Sequence, residues 1–271
     1  MSGLSGPFGP TGSSGSSEPT GSSLSRRAVL KYAAAAPAAV GLGALGLGAL
    51  ANAVCTATAS ADSLGILLDY SAGVLSAADI KAAGALGAVR YVSDRRPGAS
   101  WMLGKPMELA EARDLYEAGL KIASNYQFGK QDTADWLGGQ AAGVKHAKRG
   151  WELHTAAGGP ATAPIYVSID DNPTYDQYKN QVAPYLKAWE DVLDKQRVGI
   201  YANSKTIEWA LQDGIGSWFW QHNWGSPKGF VHPAAHLHQF EIDAREVAGV
   251  GVDLNNILKP QFGQWVSQES Q

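Results

Sequence analysis

The sequence holds a single cysteine, Cys55, among 271 residues, so it can form neither an internal disulfide nor a multi-cysteine metal site. It also lacks a basic surplus: 22 Lys and Arg stand against 25 Asp and Glu, a net charge of −3. A chain without spare cations does not neutralise phosphates broadly, and nucleic-acid binding is not expected. No Gly-x-Gly-x-x-Gly turn follows the first strand candidate, which argues against a dinucleotide fold, and no cofactor is expected. No Gly-x-Ser-x-Gly elbow supports a serine nucleophile. His232, His236 and His238 lie close together, but no helical His-Glu-x-x-His accompanies them and Pro233 interrupts a helix. No metal is expected there.

What the chain does have is a marked change of composition. Residues 1–24 are rich in Gly, Ser, Pro and Thr, carry Glu18 as their one charge, and cannot bury enough apolar surface to order. Ser25-Arg26-Arg27-Ala28-Val29-Leu30-Lys31 follows, then an Ala/Gly/Leu run from Tyr32 to about Ala53, then Ala59-Ser60-Ala61. Paired arginines, a weakly apolar stretch and a small-residue cleavage site make residues 25–61 a twin-arginine signal peptide. The twin-arginine translocase is then a partner during export, and the protein works outside the cytoplasmic membrane. The alternative is an uncleaved anchor, since about 20 apolar residues suffice to span a bilayer. The Gly and Ala content makes this run weakly hydrophobic, and no stable membrane anchor is expected. A lipoprotein reading of Cys55 is disfavoured by Val54, where a small residue is required.

Residues 62–271 form the remaining domain. Removing Arg26, Arg27 and Lys31 from 22 basic residues, and Glu18 from 25 acidic ones, leaves 19 against 24. Strand candidates are Leu64–Asp69, Ala88–Val92, Leu120–Asn125, Pro164–Asp170, Val198–Ala202, Ser217–Gln221, Leu237–Glu241 and Val250–Leu254. Helical patterns separate most of them: one opened by a capping box at Ser76, Met107 to Ala118, Asp132 to His154, Thr174 to Lys195 with a kink at Pro184, and Ser204 to Leu211. Strand alternating with helix predicts a parallel sheet, and eight strands predict an α/β (β/α)8 TIM-like barrel. Little helix is expected between the last three strands, where Gly, Pro and His prevail. A doubly wound open sheet is the alternative.

In such a barrel the chemistry sits at the C-terminal ends of the strands. Those ends carry Asp69, Asp170-Asp171-Asn172, Tyr201, Gln221, Gln239 with Glu241, and Asp253. Within the fourth strand Tyr166, Ser168 and Asp170 share one face and Ile165, Val167 and Ile169 the other, so Asp170 should point into the mouth and Asp171 outward or into the loop. Several carboxylates around one mouth repel each other, and at least one should hold its proton above the usual range. An acid and a base in one site is what glycosidic cleavage requires. Asp69, Asp170, Asp171 and Asp253 are therefore the candidate catalytic residues. Strand-end Asp residues can instead merely cap loops. All nine Trp fall in residues 62–271. Trp189 and Trp209 read as core, whereas the Trp218-to-Trp224 run mixes rings and amides at a strand end, as sugar stacking requires.

Five segments in order carry a resemblance: Gly65 to Ser71 (GILLDYS), Ile165 to Asn172 (IYVSIDDN), Gly199 to Asn203 (GIYAN), His238 to Phe240 (HQF) and Gly251 to Asn255 (GVDLN). Together they resemble the bacterial glycoside hydrolase-like domain once catalogued as domain of unknown function 1906. More distantly they are similar to the Chalaropsis-type lysozymes of glycoside hydrolase family 25. The resemblance implies that Asp69 is the first-strand acid, Asp253 the last-strand acid, and Asp170 the first acid of a fourth-strand Asp-x-Glu. It places Tyr201 and Gln239 at site-lining positions, and Asn172, Trp220, Gln221 and Glu241 join them as candidate substrate-binding residues. The sequence departs from the pattern at the proton-donor Glu, which falls on Asn172, or on Asp171 if the register slips by one. Three classes stay open: a hydrolase of cell-wall or other polysaccharide, with Asp170 or Asp171 as acid and Asp69 or Asp253 assisting; a glycan-binding or regulatory barrel that does not cleave; and an envelope interaction protein.

Overall fold

The computed structural model describes residues 63–266. The low-complexity segment 1–24, the leader 25–61 and Cys55 lie outside the described residues. Within the described residues, no helix is long and apolar enough to cross a membrane.

The strands are β1 (Ile66–Asp69), β2 (Gly87–Tyr91), β3 (Lys121–Tyr126), β4 (Ile165–Ser168), β5 (Val198–Ala202), β6 (Trp218–Gln221), β7 (Leu237–Val247) and β8 (Val250–Ile257). They close into one barrel in sequence order. The helices are α1 (Ala77–Ala82), α2 (Leu109–Glu117), α3 (Gly139–Ala156), α4 (Tyr175–Gln177), α5 (Ala183–Leu193) and α6 (Ser204–Gln212). Ser76 caps α1, with its side chain on the Asp79 amide and the Asp79 carboxylate returning to Ser76, as its capping-box pattern requires. The long helix expected over Thr174 to Lys195 is broken by a π-helical turn at Tyr178–Val182, directly before Pro184. Proline cannot donate the backbone hydrogen bond that an uninterrupted helix needs there.

One expectation fails. The sheet is not wholly parallel: β8 runs antiparallel to both β7 and β1. The link between β7 and β8 is the two-residue turn Ala248-Gly249, both at positive φ (48° and 77°). So short a link makes a hairpin, because a parallel crossover needs a dozen or more residues. The same hairpin carries β7 to Val247 and β8 to Ile257, beyond the ends expected at Glu241 and Leu254. Among the described residues no helix lies between β6 and β8, as the sparse helical pattern there indicated.

Alternate strand positions face opposite sides. Leu67, Val89, Ala123, Tyr166, Tyr201, Trp220, Leu237 and Ile257 fill the barrel interior. Ile165, Val167, Ile200 and their neighbours face α3 and α5 on the outside, where Tyr185, Leu186 and Trp189 pack. Gly199 is required by this arrangement, since a Cβ there would stand 2.6 Å from the Tyr166 ring. Tyr166 in turn donates to the Phe262 carbonyl at 2.6 Å across the barrel floor.

On β2, the buried Arg90 guanidinium meets Glu111 of α2 at 2.6 Å, covers the Tyr70 ring at 3.9 Å and donates to the Gly104 carbonyl at 2.7 Å. This ties the loop after β2 to the barrel wall. Glu111→Gln leaves the cation buried without its counter-charge, and should cost about 3–5 kcal/mol in urea denaturation. A loss below about 1 kcal/mol would show that the pair behaves like an exposed one.

Candidate active site

Reversal of β8 brings two acids side by side. Asp69, at the C-terminal end of β1, is the register partner of Asp253 on β8. Because β8 runs backwards, its early residues rather than its last ones reach the barrel mouth. Asp253 is therefore at the mouth, although it does not end its strand.

Gln239 of β7 bridges the two carboxylates. Its Nε2 donates to Asp69 Oδ2 and to Asp253 Oδ2, each at 3.0 Å, and its Oε1 accepts from the Tyr201 hydroxyl at 2.6 Å. Asn255 Nδ2 also donates to Asp69 Oδ2 at 2.6 Å, and Tyr91 Oη to Asp69 Oδ1 at 3.3 Å. Asp253 Oδ1 takes the Asp243 backbone N–H at 2.8 Å. Asp69 is almost fully buried, and burial pushes its carboxyl up, opposed by hydrogen bonds from Asn255, Gln239 and Tyr91. Asp253 is pushed up to about 8, first by burial and then by the neighbouring Asp69 charge. The two titrate as a pair. Three donors to Asp69 favour its ionised form, so the proton held near neutral pH sits on Asp253.

Asp253 opens into a cavity of about 220 Å³, lined also by Tyr91, Gln127, Lys130, Asp170, Tyr201 and Gln239. Asp170 forms an ion pair with Lys130 at 3.1 Å and accepts from Gln127 Nε2 at 2.9 Å. It faces the mouth, as the alternation along the fourth strand requires. Lys130, Asp170, Trp224 and Ile242 also line an adjoining cavity of about 330 Å³, so the two form one groove. Asp171 and Asn172 lie in that second part. Asp171 is held by the Trp136 indole N–H at 3.0 Å, and burial raises its carboxyl. The Asn172 amide oxygen accepts from Asn203 Nδ2 at 2.8 Å.

Three expected contacts lie elsewhere. Trp220 is inside the barrel, below the mouth, with its indole N–H on Asn255 Oδ1 at 2.8 Å. Gln221 is fully buried and clamps the β6–β7 connection, donating to the Phe230 carbonyl at 2.7 Å and accepting from the His232 N–H at 2.7 Å. Glu241 is outside both cavities and pairs with Arg245 along the hairpin. The aromatic residues that line the groove are Tyr201, as expected, with Tyr91, Trp101 and Trp224, the last stacked on His222 with centroids 3.9 Å apart. Trp101, Lys105, Gln127 and Lys130 escaped the strand-end rule because they sit in loops. Trp224 was within reach of the sequence, as the last ring of the Trp218–Trp224 run. Among the described residues no group of three or more metal-ligating side chains forms a metal site.

Asp69→Asn removes the charge that helps Asp253 keep its proton. The Asp253 midpoint, read by carbon NMR of the carboxyl, should fall from about 8 while burial holds it above an ordinary carboxylate. Stability follows with a defined sign. Both acids are raised in the folded state, so their contribution is complete below the unfolded value near 4 and is lost as pH rises towards about 8. Unfolding free energy should decline across that window, and less steeply in the variant. An unchanged midpoint would rule out the coupling.

Comparison with known proteins bears on the family and the fold. The profile of the Rv2525c-like, glycoside hydrolase-like domain matches residues 78–257. The Mycobacterium tuberculosis protein Rv2525c, provisionally named a peptidoglycan hydrolase, is 69% identical over 243 residues, which cover 90% of this chain and 99% of that protein. A crystal structure of Tat-secreted Rv2525c from M. tuberculosis, in complex with L-tartrate, superimposes with a TM-score of 0.75 at 72% identity, covering 75% of this chain and all of that one. The Streptococcus pneumoniae autolysin LytC, with a synthetic peptidoglycan ligand, shares the fold at a TM-score of 0.50 and 14% identity, over 70% of this chain and 46% of that one. The chain belongs to the family of Rv2525c-like, glycoside hydrolase-like domains.

Proposed function

We propose that this protein is an exported hydrolase of cell-wall glycan, in which Asp253 is the general acid and Asp170 the opposing carboxylate. The observation that carries the reading is the presence in one groove of a carboxyl that holds its proton near neutral pH and a second carboxylate ion-paired to Lys130. Glycosidic cleavage asks for that division of labour. The Asp253 proton passes to the leaving glycosidic oxygen as the glycosidic bond breaks, the Asp170 charge supports the positive character that develops at the sugar carbon, and a water molecule then adds to that carbon and releases a proton to solvent, from which Asp253 is reprotonated. Asp69 touches no substrate. It sits beneath Asp253, and its charge keeps the proton there. Tyr91, Trp101 and Trp224 supply apolar faces for sugar rings. This differs from the arrangement expected from the strand-four motif. Asp171 is tied to Trp136, and Asn172 cannot give a proton.

The site of action is extracytoplasmic. The order of residues 25–61 is that of a twin-arginine leader, and the Rv2525c relative is Tat-secreted. Peptidoglycan is the substrate proposed, in keeping with the name carried by that relative and the family's glycoside hydrolase-like description.

A second reading has its own observation. By the resemblance to family 25 the proton-donor position falls on Asn172, or on Asp171 if the register slips by one; with Asn172 there, locked to Asn203, the barrel would grip glycan without cleaving it. Release of reducing ends from purified cell-wall glycan separates the two. The wild-type protein should produce them, Asp253→Asn and Asp170→Asn should each reduce the rate by about 10²–10⁴-fold, and activity should fall above pH 8 as Asp253 loses its proton. Glycan retention with no reducing ends from the wild type would establish the binding reading instead.

A further inference from the structure

The groove is electrically divided. Asp69 and Asp253 stand on the β1/β8 side with Gln239 between them. On the loops after β2 and β3 stand Arg96, Lys105 and Lys130, all lining the cavity that Asp253 enters. Lys130 spends its charge on Asp170. Among the described residues, neither Arg96 nor Lys105 has a carboxylate within ion-pair distance.

Lys105 is the more telling of the two. It is 2% exposed, and its ammonium lies 4.4 Å over the Tyr91 ring. One of its three donors reaches the Gln127 carbonyl at 2.5 Å. Asp135 and Asp170 act on this ammonium only from beyond ion-pair distance: Asp135 is turned to the Phe128 and Gly129 backbone N–H groups at 2.8 Å each, and Asp170 to Lys130 at 3.1 Å. A buried ammonium with no carboxylate in contact is costly. Burial accordingly lowers Lys105 to about 7, so that an anion arriving beside it would be gripped and would restore its proton. Arg96 lies at the Trp101 ring, with 5.9 Å from guanidinium carbon to centroid, on the same wall. Its planar fork suits a carboxylate. These cations stand in a chain whose net charge is −3, so the wall opposes the global balance.

We propose that Arg96 and Lys105 form a subsite for the carboxylate of a sugar, and that the groove selects glycans built from acid-bearing units. Hexuronates and lactyl-ether amino sugars share this chemistry. The subsite rests on the reading that the groove holds glycan, and it does not require cleavage. Tyr91 stands between the two halves, with its ring under Lys105 and its hydroxyl on Asp69. A sugar seated on the aromatic faces would thus present its acid to one wall and its glycosidic oxygen to the other.

Titration calorimetry with purified protein tests this directly. The probes are glucuronate and N-acetylmuramate, each against its neutral counterpart, glucose and N-acetylglucosamine. Each acid should bind at least about tenfold tighter than its neutral partner, the size of one charge-assisted hydrogen bond, and added salt should reduce the preference. Arg96→Gln and Lys105→Gln should each lower acid affinity about tenfold and leave the neutral sugars unchanged. Arg96 is partly exposed, so its variant keeps the test decisive if Lys105→Gln fails to fold by circular dichroism. Which acid binds tighter identifies the source of the carboxylate. Equal affinity for acid and neutral sugar, no saturation by either acid, or an unaltered preference in Arg96→Gln would overturn the subsite. Acid selectivity without reducing-end release would uphold it and remove the hydrolase reading; release without selectivity would do the reverse.

Discussion

The antiparallel closure of the barrel is the constraint on which the site depends. A closed sheet has no free edge, so its first and last strands must pair. Here that pairing sets Asp69 directly opposite Asp253. Two carboxylates brought together by backbone register repel each other in a place that water scarcely reaches. The structure answers with one neutral donor, the Gln239 amide, which touches both, and with Asn255 and Tyr91 on the deeper acid. The pair becomes tolerable by keeping a proton, and the proton lies on the member that faces the groove. A folding constraint and a chemical property therefore have one origin.

Around this pair, rigidity is graded from floor to rim. The barrel interior is closed by large side chains such as Tyr166 and Trp220, and Trp220 holds Asn255, which holds Asp69. The rim is loop. It is tied by buried polar side chains: Arg90 anchors the loop after β2, Lys105 joins that loop to the one after β3, Asp135 holds the loop after β3, and Gln221 the connection before β7. The residues that line the groove ride on these tied loops, as binding residues on a rigid scaffold usually do. Trp220 and Gln221 show the cost of reading side chains as ligand contacts from strand position alone. Both carry the polar or aromatic character that a sugar site needs, and both use it inside the protein.

Much of the architecture was legible along the chain. Period-two alternation placed Asp170 on the inward face, because Ile165, Val167 and Ile169 had to face helices. Apolar runs located all eight strands, and the scarcity of helix after β6 was visible as Gly, Pro and His. The direction of β8 was obscured because its alternation reads the same either way. Its preceding link of eight residues, between the ends expected for β7 and β8, was nonetheless too short for a crossover. Asp253 was assigned to the mouth as a strand-end residue, yet it reaches the mouth because its strand is reversed.

The order of apolar and polar residues determined, by itself, a barrel of eight strands with acids at its mouth, since side-chain periodicity is a local property. The pairing of Asp69 with Asp253, the engagement of Glu241 by Arg245 instead of the groove, and the convergence of Arg96 and Lys105 were decided by tertiary structure alone. Electrostatic character depends on distance, burial and partners drawn from remote parts of the chain. A carboxyl at position 253 reads the same in the sequence whether or not another carboxyl, 184 positions earlier, is folded against it.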